Sequence, residues 1–181
     1  METSEVLSDA FERIREGVRD VTEGLDAAVL AHRPDPEANS IAWLVWHSTR
    51  VQDDHVSQLA GRGQAWIAEG WADRFHLPLD PGDTGYGHTP GQVAAVQVDG
   101  PDLLVGYHEA VTRRTLEYVA TVDADELDRI VDDRWHPPVS AGVRLVSVIA
   151  DGLEHLGQAS YVRGLVEPLE SPDGPDAELT T

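Results

Sequence analysis

One apolar stretch constrains the fold of this chain more than any other segment. Residues Val143 to Val166 read VRLVSVIADGLEHLGQASYVRGLV. Wound at about 100° per residue, this stretch places apolar side chains on nearly every side of the helix. The pattern predicts a central helix that is buried all the way round.

Two polar side chains interrupt this apolar surface. Asp151 and His155 lie four residues apart, so both emerge on one face of the helix, and Gln158 follows one turn further on. Burying an unpaired carboxylate is costly, so Asp151 needs either a counter-charge or a metal ion. The spacing alone leaves two interpretations open, a structural ion pair with His155 and a shared metal site.

Three other segments have the periodicity of bundle helices. They extend from about Ser4 to Ala28, from Ser40 to Ala60 and from Pro101 to Val122. Their predicted inward residues are, in chain order, Leu7, Phe11, Ile14, Val18, Val21 and Leu25; Ile41, Leu44, Val45, Ser48, Val51, His55 and Leu59; Leu104, His108, Val111, Thr115, Tyr118 and Val122. Four such helices bury one another most simply as a bundle, so we predict an all-α four-helix bundle over residues 1–166.

The connections between these helices carry their own signals. The long segment from Gly61 to His88 is rich in aromatic residues, and we expect a packed flap with one helical turn near Ala65–Glu69 and with Trp71 covering a binding site. The capping box at Thr89 predicts a short helix, and residues 128–138 predict an extended segment. Residues 167–181 are acidic and poor in apolar residues, which predicts a flexible tail.

Composition excludes several classes of function. The chain has 33 acidic and 13 basic residues and a formal net charge of -20, without a basic cluster, so nucleic acid is not an expected partner. It has no cysteine, so any thiol chemistry must use a thiol from outside. It has no signal peptide and no run of about 18 apolar residues, so we expect a cytoplasmic protein that binds no membrane. A small molecule is the expected partner, and a homodimer is the expected assembly if there is one.

A third metal ligand is available on the second predicted helix. His47 could join Asp151 and His155, and three nitrogen and oxygen ligands are typical of a catalytic zinc site with an open position. His55 is a rival ligand, and His108 is expected to be a packing residue. Four histidines near turns are expected to face solvent, namely His32, His76, His88 and His136. The alternative for His88 is that it reaches the site from the flap.

Two segments read together resemble a known family. NSIAWLVWHSTRVQDDH, from Asn39 to His55, and DGLEHLGQASYVRGL, from Asp151 to Leu165, resemble the paired motifs of the DinB-like superfamily, in particular its single-domain actinobacterial branch. The resemblance covers most of residues 4–166. It implies an up-down-down-up bundle and a divalent metal ion held by His47, Asp151 and His155, with zinc expected and nickel as the alternative.

The same resemblance implies a reaction class. Related mycothiol-dependent maleylpyruvate isomerases have glutamate where this chain has Asp151, and they carry a further C-terminal domain, so isomerase activity itself is not implied. We expect a metal-dependent S-transferase that uses mycothiol or a similar thiol, with Gln158 and Asp54 orienting the ligands. The alternatives are a metal-dependent hydrolase, with Glu154 or Asp54 as base, and a non-catalytic stress protein that binds metal or a small ligand.

Overall fold

A computed structural model describes residues 2–166, and most of them are helical. Four long helices, α1 (Thr3–Thr22), α3 (Ile41–Leu59), α7 (Pro101–Val119) and α9 (Ala141–Val166), form the body of the fold. The short elements between them are α2 (Ala27–Leu30), α4 (Ala65–Ala68), α5 (Trp71–Phe75), α6 (Pro90–Ala95), α8 (Ala124–Asp128), β1 (Ile130–Asp132) and β2 (Val139–Ser140). The predicted all-α bundle is confirmed, and the predicted tail lies outside the described residues.

Side-chain caps set where several helices begin. The Ser40 hydroxyl accepts a hydrogen bond from the Trp43 amide at the start of α3, and the predicted capping box at Thr89 opens α6. The first helix is shorter than predicted, because Gly24 adopts a left-handed φ of 73° and Asp26 then caps α2 as a separate turn.

The long helices pack as a ring in which α3 contacts α7 and α9, while α1 contacts the same two helices. Hydrogen bonds between Thr49 and His108 (3.0 Å) and between Gln52 and Thr115 (2.9 Å) show that α3 and α7 run in the same direction. Two parallel helices that follow one another in sequence require a long return connection, and residues 60–100 supply it.

The helix most enclosed by the rest of the protein is α3. Every residue from Ile41 to Arg50 is buried, since α7 and α9 cover one side of the helix and the flap covers the other. The predicted seams of α1 and α7 are confirmed, because all of their inward residues from Leu7 to Leu25 and from Leu104 to Val122 are buried.

The prediction that α9 is buried all the way round is wrong. Five of its apolar side chains are about half exposed or more, namely Val143, Val146, Leu153, Tyr161 and Leu165. A bundle helix has two neighbours and therefore one outer face, and apolar periodicity cannot show that this face lacks a neighbour. None of the described helices, α9 included, is long and apolar enough to cross a membrane.

The connections are more ordered than their sequence indicated. The predicted turn near Ala65–Glu69 is α4, but α5 was not expected. The predicted extended segment forms β1, which pairs antiparallel with β2 just before α9.

A buried histidine in the core makes stability depend on pH. His108 on α7 is 1 % exposed, and burial lowers its pKa to about 4. The unfolded chain takes up this proton near pH 6.5, whereas the folded protein resists it until about pH 4. We therefore expect His108 to be neutral in the folded protein and to favour unfolding progressively as the pH falls between these two values.

We predict that the free energy of unfolding falls by about 3 kcal/mol between pH 7 and pH 4 because of His108 alone. Urea denaturation at a series of pH values measures the loss. The matched control is His108→Gln, which keeps a polar side chain but cannot titrate, so its pH dependence should be shallower by this amount. Equal pH dependence in the two proteins would show that His108 is protonated as easily when folded as when unfolded.

Candidate metal centre

The predicted ligands come together where α3 and α9 run antiparallel. His47 lies beside His155 near one end of this contact, and His55 lies beside Arg144 near the other. His47, Asp151 and His155 each offer one ligand atom, and these atoms all lie within 4.8 Å of one another. The three residues therefore form a compact group of two imidazoles and one carboxylate, which we call the HDH group.

Hydrogen bonds leave the same nitrogen free on both rings. Nδ1 of His47 donates to the Thr84 carbonyl oxygen at 2.5 Å, and Nδ1 of His155 donates to Oε1 of Gln158 at 2.9 Å. Because both partners are acceptors, each neutral ring carries its proton on Nδ1 and its lone pair on Nε2. This is how metal-binding histidines are usually oriented by neighbouring groups.

The carboxylate of Asp151 is only partly satisfied within the described residues. Its Oδ1 lies 3.5 Å from Nε2 of His155, but its Oδ2 is buried with no hydrogen-bond partner. Leaving a buried carboxylate oxygen without a partner is costly. The donor set of two Nε2 lone pairs and one free carboxylate oxygen fits a divalent ion, whereas a simple ion pair does not account for His47 or for Oδ2.

The two histidines differ in their electrostatic surroundings. Burial lowers the pKa of His47, although the Thr84 carbonyl and the Asp151 charge oppose this effect. The hydrogen bond with Asp151 raises the pKa of His155, and burial opposes it. Burial therefore favours the neutral form of His47, the form that binds a metal ion, whereas the neighbouring Asp151 carboxylate favours the protonated form of His155.

Aromatic side chains form one wall of the HDH group. The ring of Trp43 stacks on His47 with the centroids 4.5 Å apart, and it meets His155 edge-on at 6.2 Å. Nε1 of Trp43 donates to Nδ1 of His88, whose Nε2 lies 3.4 Å from the Asp83 carboxylate. The expectation that His88 faces solvent is wrong, since its side chain is 2 % exposed. The alternative, that His88 reaches towards the site from the flap, describes its position better.

A glycine of the flap also packs closely against the HDH group. Gly85 has φ +95°, and a Cβ atom there would lie 2.6 Å from Nδ1 of His47 and 3.2 Å from the Trp43 ring. Only glycine fits this backbone conformation and this close approach. Neither Thr84 nor Gly85 was predicted to lie at the site, although the run DTGYG at residues 83–87 is a signal for a tight turn.

Two candidates on α3 lie near the HDH group but do not join it. His55, the rival ligand, accepts a hydrogen bond at Nδ1 from Arg144 at 2.8 Å, and its pKa is lowered by burial and then by that arginine. Asp54 accepts a hydrogen bond from Gln64 at 2.6 Å and lines a separate cleft of about 600 Å³. None of the three residues of the HDH group lines this cleft.

The remaining candidates divide between the site and other surroundings. Gln158 contacts His155 as predicted. Glu154 is exposed and acts on His155 only through its charge. Trp71 was predicted to cover the site, but its ring packs on α7 against Gly106 and Tyr107. It is a core residue of the loop.

The fold and the HDH group together define a four-helix-bundle protein with a candidate metal centre between its second and fourth long helices. A family model described as Mycothiol-S-transferase matches residues 6–168. The chain thus belongs to the mycothiol S-transferase family, within the DinB-like superfamily that its motifs indicated.

A solved structure supports the same assignment of the fold. The crystal structure of a conserved protein from Enterococcus faecalis is 32% identical in sequence, with a TM-score of 0.86. The match covers 92% of this chain and 98% of that one. No protein with a curated function matched the chain.

We predict that Gly85→Ala weakens metal binding by about tenfold or more, because the added methyl group displaces His47. Titration with a divalent ion against a chromophoric chelator measures the affinity. Gly87→Ala is the matched control, since Gly87 also has a positive φ of +72° but has nothing within 4 Å of the added Cβ. If both variants bind as tightly as the wild type, the approach of Gly85 does not position His47.

Proposed function

We propose that this protein is a metal-dependent S-transferase that joins a small thiol, mycothiol or a chemically similar molecule, to an electrophile. Membership of the mycothiol S-transferase family supports the reaction class. The observation that carries the proposal is the HDH group, in which two imidazole lone pairs and an orphaned carboxylate oxygen converge. His47, Asp151 and His155 would hold the ion, and zinc suits these nitrogen and oxygen ligands, with nickel as the alternative.

In this proposal the protein holds the metal ion, and the thiol comes from a second molecule. A zinc-like ion held by these residues would supply positive charge that lowers the pKa of the thiol and would thereby favour a thiolate at neutral pH. The chain has no cysteine, so the thiol is a cosubstrate. Three protein ligands leave room for that cosubstrate to bind.

The protein's own residues orient the ligands and define the direction of approach. Thr84 and Gln158 fix the two imidazole rings through their Nδ1 hydrogen bonds. His47 is 7% exposed beneath the flap, whereas the side chains of His155 and Asp151 are 17% and 28% exposed. The substrates therefore reach the site along the α9 edge, and the flap and Trp43 exclude water from the other side.

The geometry gives less support to a hydrolase. Hydrolysis requires a base that can reach a water molecule at the metal. The two carboxylates considered for that role do not contact the HDH group, because Glu154 is exposed and Asp54 is bonded to Gln64. Thiol transfer needs no such base once the thiolate has formed.

Conjugation of a thiol tests the proposal directly. Protein purified without a metal-recruiting tag is first subjected to elemental analysis and then stripped with a chelator. The stripped, zinc-loaded and nickel-loaded forms are incubated with mycothiol and a panel of electrophiles, and the conjugate is quantified by mass spectrometry. Conjugate formation that requires both the ion and the thiol is expected. Ester hydrolysis without thiol would establish the hydrolase instead, and metal binding without any turnover would establish a binding protein.

We predict that His47→Ala and His155→Ala each reduce bound metal to a minor fraction while the protein stays helical, because apolar burial holds the bundle together. Elemental analysis and circular dichroism measure the two properties. Full metal occupancy in both variants would remove these residues from the site. Loss of helicity in both would mean that the ion is structural.

A second pair of variants tests Asp151, the carboxylate of the HDH group. We expect Asp151→Asn to weaken metal binding by about tenfold or more, because an amide oxygen is a neutral and poor ligand for zinc-like ions. Asp151→His should retain binding, since imidazole is a good ligand. If Asp151 only balances the charge of His155, the ranking reverses, because asparagine is tolerated and a second histidine is repelled. Competition titrations at one pH decide between the two rankings.

A further inference from the structure

The open edge of the HDH group continues along the contact of α3 with α9 as far as His55. His155 of α9 meets His47, and Arg144 of α9 meets His55 about two turns further along α3. Asp151 lies between these two contacts in the sequence of α9, and its charge acts on His55 as well as on His47. The side chain of His55 is 31% exposed, close to the 28% of Asp151, so a molecule that enters along this edge meets both.

Arg144 determines which nitrogen of His55 carries the proton. Nη1 of Arg144 lies 2.8 Å from Nδ1 of His55, and because a guanidinium can only donate, Nδ1 must accept. The Asp54 carboxylate lies 3.7 Å from the same nitrogen, which is too far for a hydrogen bond. The neutral ring therefore carries its proton on Nε2, and among the described residues no acceptor lies within hydrogen-bond distance of that proton.

The arginine that fixes this ring is itself held from its other side. Nη2 of Arg144 lies 3.6 Å from the Asp132 carboxylate of β1, and its side chain is only 16% exposed. Asp132 is also paired with Arg134 at 2.7 Å. The position of the His55 ring is thus set by the strand that precedes α9, with no contribution from the HDH group.

The three imidazoles along this edge therefore differ in what they offer to a ligand. The two rings of the HDH group present Nε2 lone pairs, which bind a cation, whereas His55 presents an N–H group, which binds an acceptor. A fixed N–H donor at the open edge suits an oxygen atom of a substrate and does not suit a metal ion. This tautomer also explains why His55 is not a metal ligand.

We propose that His55 binds the electrophile and that this electrophile is an α,β-unsaturated carbonyl compound. The inference rests on the proposed S-transfer. The thiolate sulfur forms a bond to the β-carbon, the π electrons of the C=C bond move towards the carbonyl oxygen, and Nε2–H of His55 donates to the enolate oxygen that results. The α-carbon then takes a proton from water, which balances the proton that the thiol released. A donor aimed at charge that develops only during the reaction stabilises the transition state more than the bound substrate.

Two electrophiles distinguish this role from a general effect on the site. The metal-loaded protein and mycothiol react either with 2-cyclohexen-1-one, whose oxygen gains charge, or with benzyl bromide, which has no oxygen. His55→Phe should lower the rate with the enone by about tenfold or more and the rate with benzyl bromide by less than about twofold. His55→Gln, whose amide N–H lies near the position of Nε2, should restore most of the enone rate. His32→Phe is the matched control, because His32 is exposed between α2 and α3, and it should change neither rate.

An equal loss with both electrophiles, or no loss with the enone, overturns the inference and leaves the S-transferase proposal intact. NMR of zinc-loaded protein with ¹⁵N-labelled histidine gives a readout that needs no turnover. His55 should show the Nε2–H tautomer, and its Nε2 resonance should shift when cyclohexanone is added, whereas that of His32 should not. The Nδ1–H tautomer overturns the inference. If the wild type forms no conjugate, the S-transferase proposal fails: a shift at His55 still establishes a carbonyl-binding residue, and its absence overturns the inference as well.

Discussion

A buried pair of opposite charges on α3 connects the bundle to the flap. Arg50 and Asp53 are 0% and 2% exposed, and their charged groups lie 3.8 Å apart. Further hydrogen bonds are needed to offset the cost of burying such a pair. The carboxylate accepts from the amides of Ala65 and Trp66 at the start of α4, and the guanidinium donates to the carbonyl of Asp83 near the end of the flap. The flap is therefore attached to α3 at two distant points, and each charge depends on it.

This attachment extends directly to the candidate metal centre. Asp83 is followed by Thr84, whose carbonyl oxygen orients His47, and by Gly85, whose backbone packs against the same ring. The proposed metal ligands come from α3 and α9, but the tautomer and orientation of His47 come from the loop that Arg50 holds in place. Arg50 thus influences the orientation of His47 by holding the neighbouring flap residues, although it touches none of the proposed ligands.

The parts of the structure that could be predicted are those encoded by local spacing. The seams of α1 and α7 follow from apolar periodicity, and the four-residue interval between Asp151 and His155 places both side chains on one face. The choice of His47 rested on the paired motifs, because no spacing connects residues so far apart. The contributions of Thr84, Gly85 and His88 depend on how a long loop returns to the bundle, which is a tertiary property that periodicity does not contain.

The exposed face of α9 was not predicted for the same reason, since burial of a helix face depends on tertiary contacts. The two faces of α9 also differ in what they contribute to the site. A helix with apolar residues on every side can be buried on every side, or it can be buried on one face and exposed on another, as α9 is. On α9 the inner face packs tightly, since a Cβ atom at Gly152 would lie 3.0 Å from Ile14 of α1. That close packing sets the position of α9, and with it the distance of Asp151 and His155 from α3. Apolar packing on one side and the flap's hydrogen bonds on the other thus position His47, Asp151 and His155, the proposed ligands, through contacts that involve no ion.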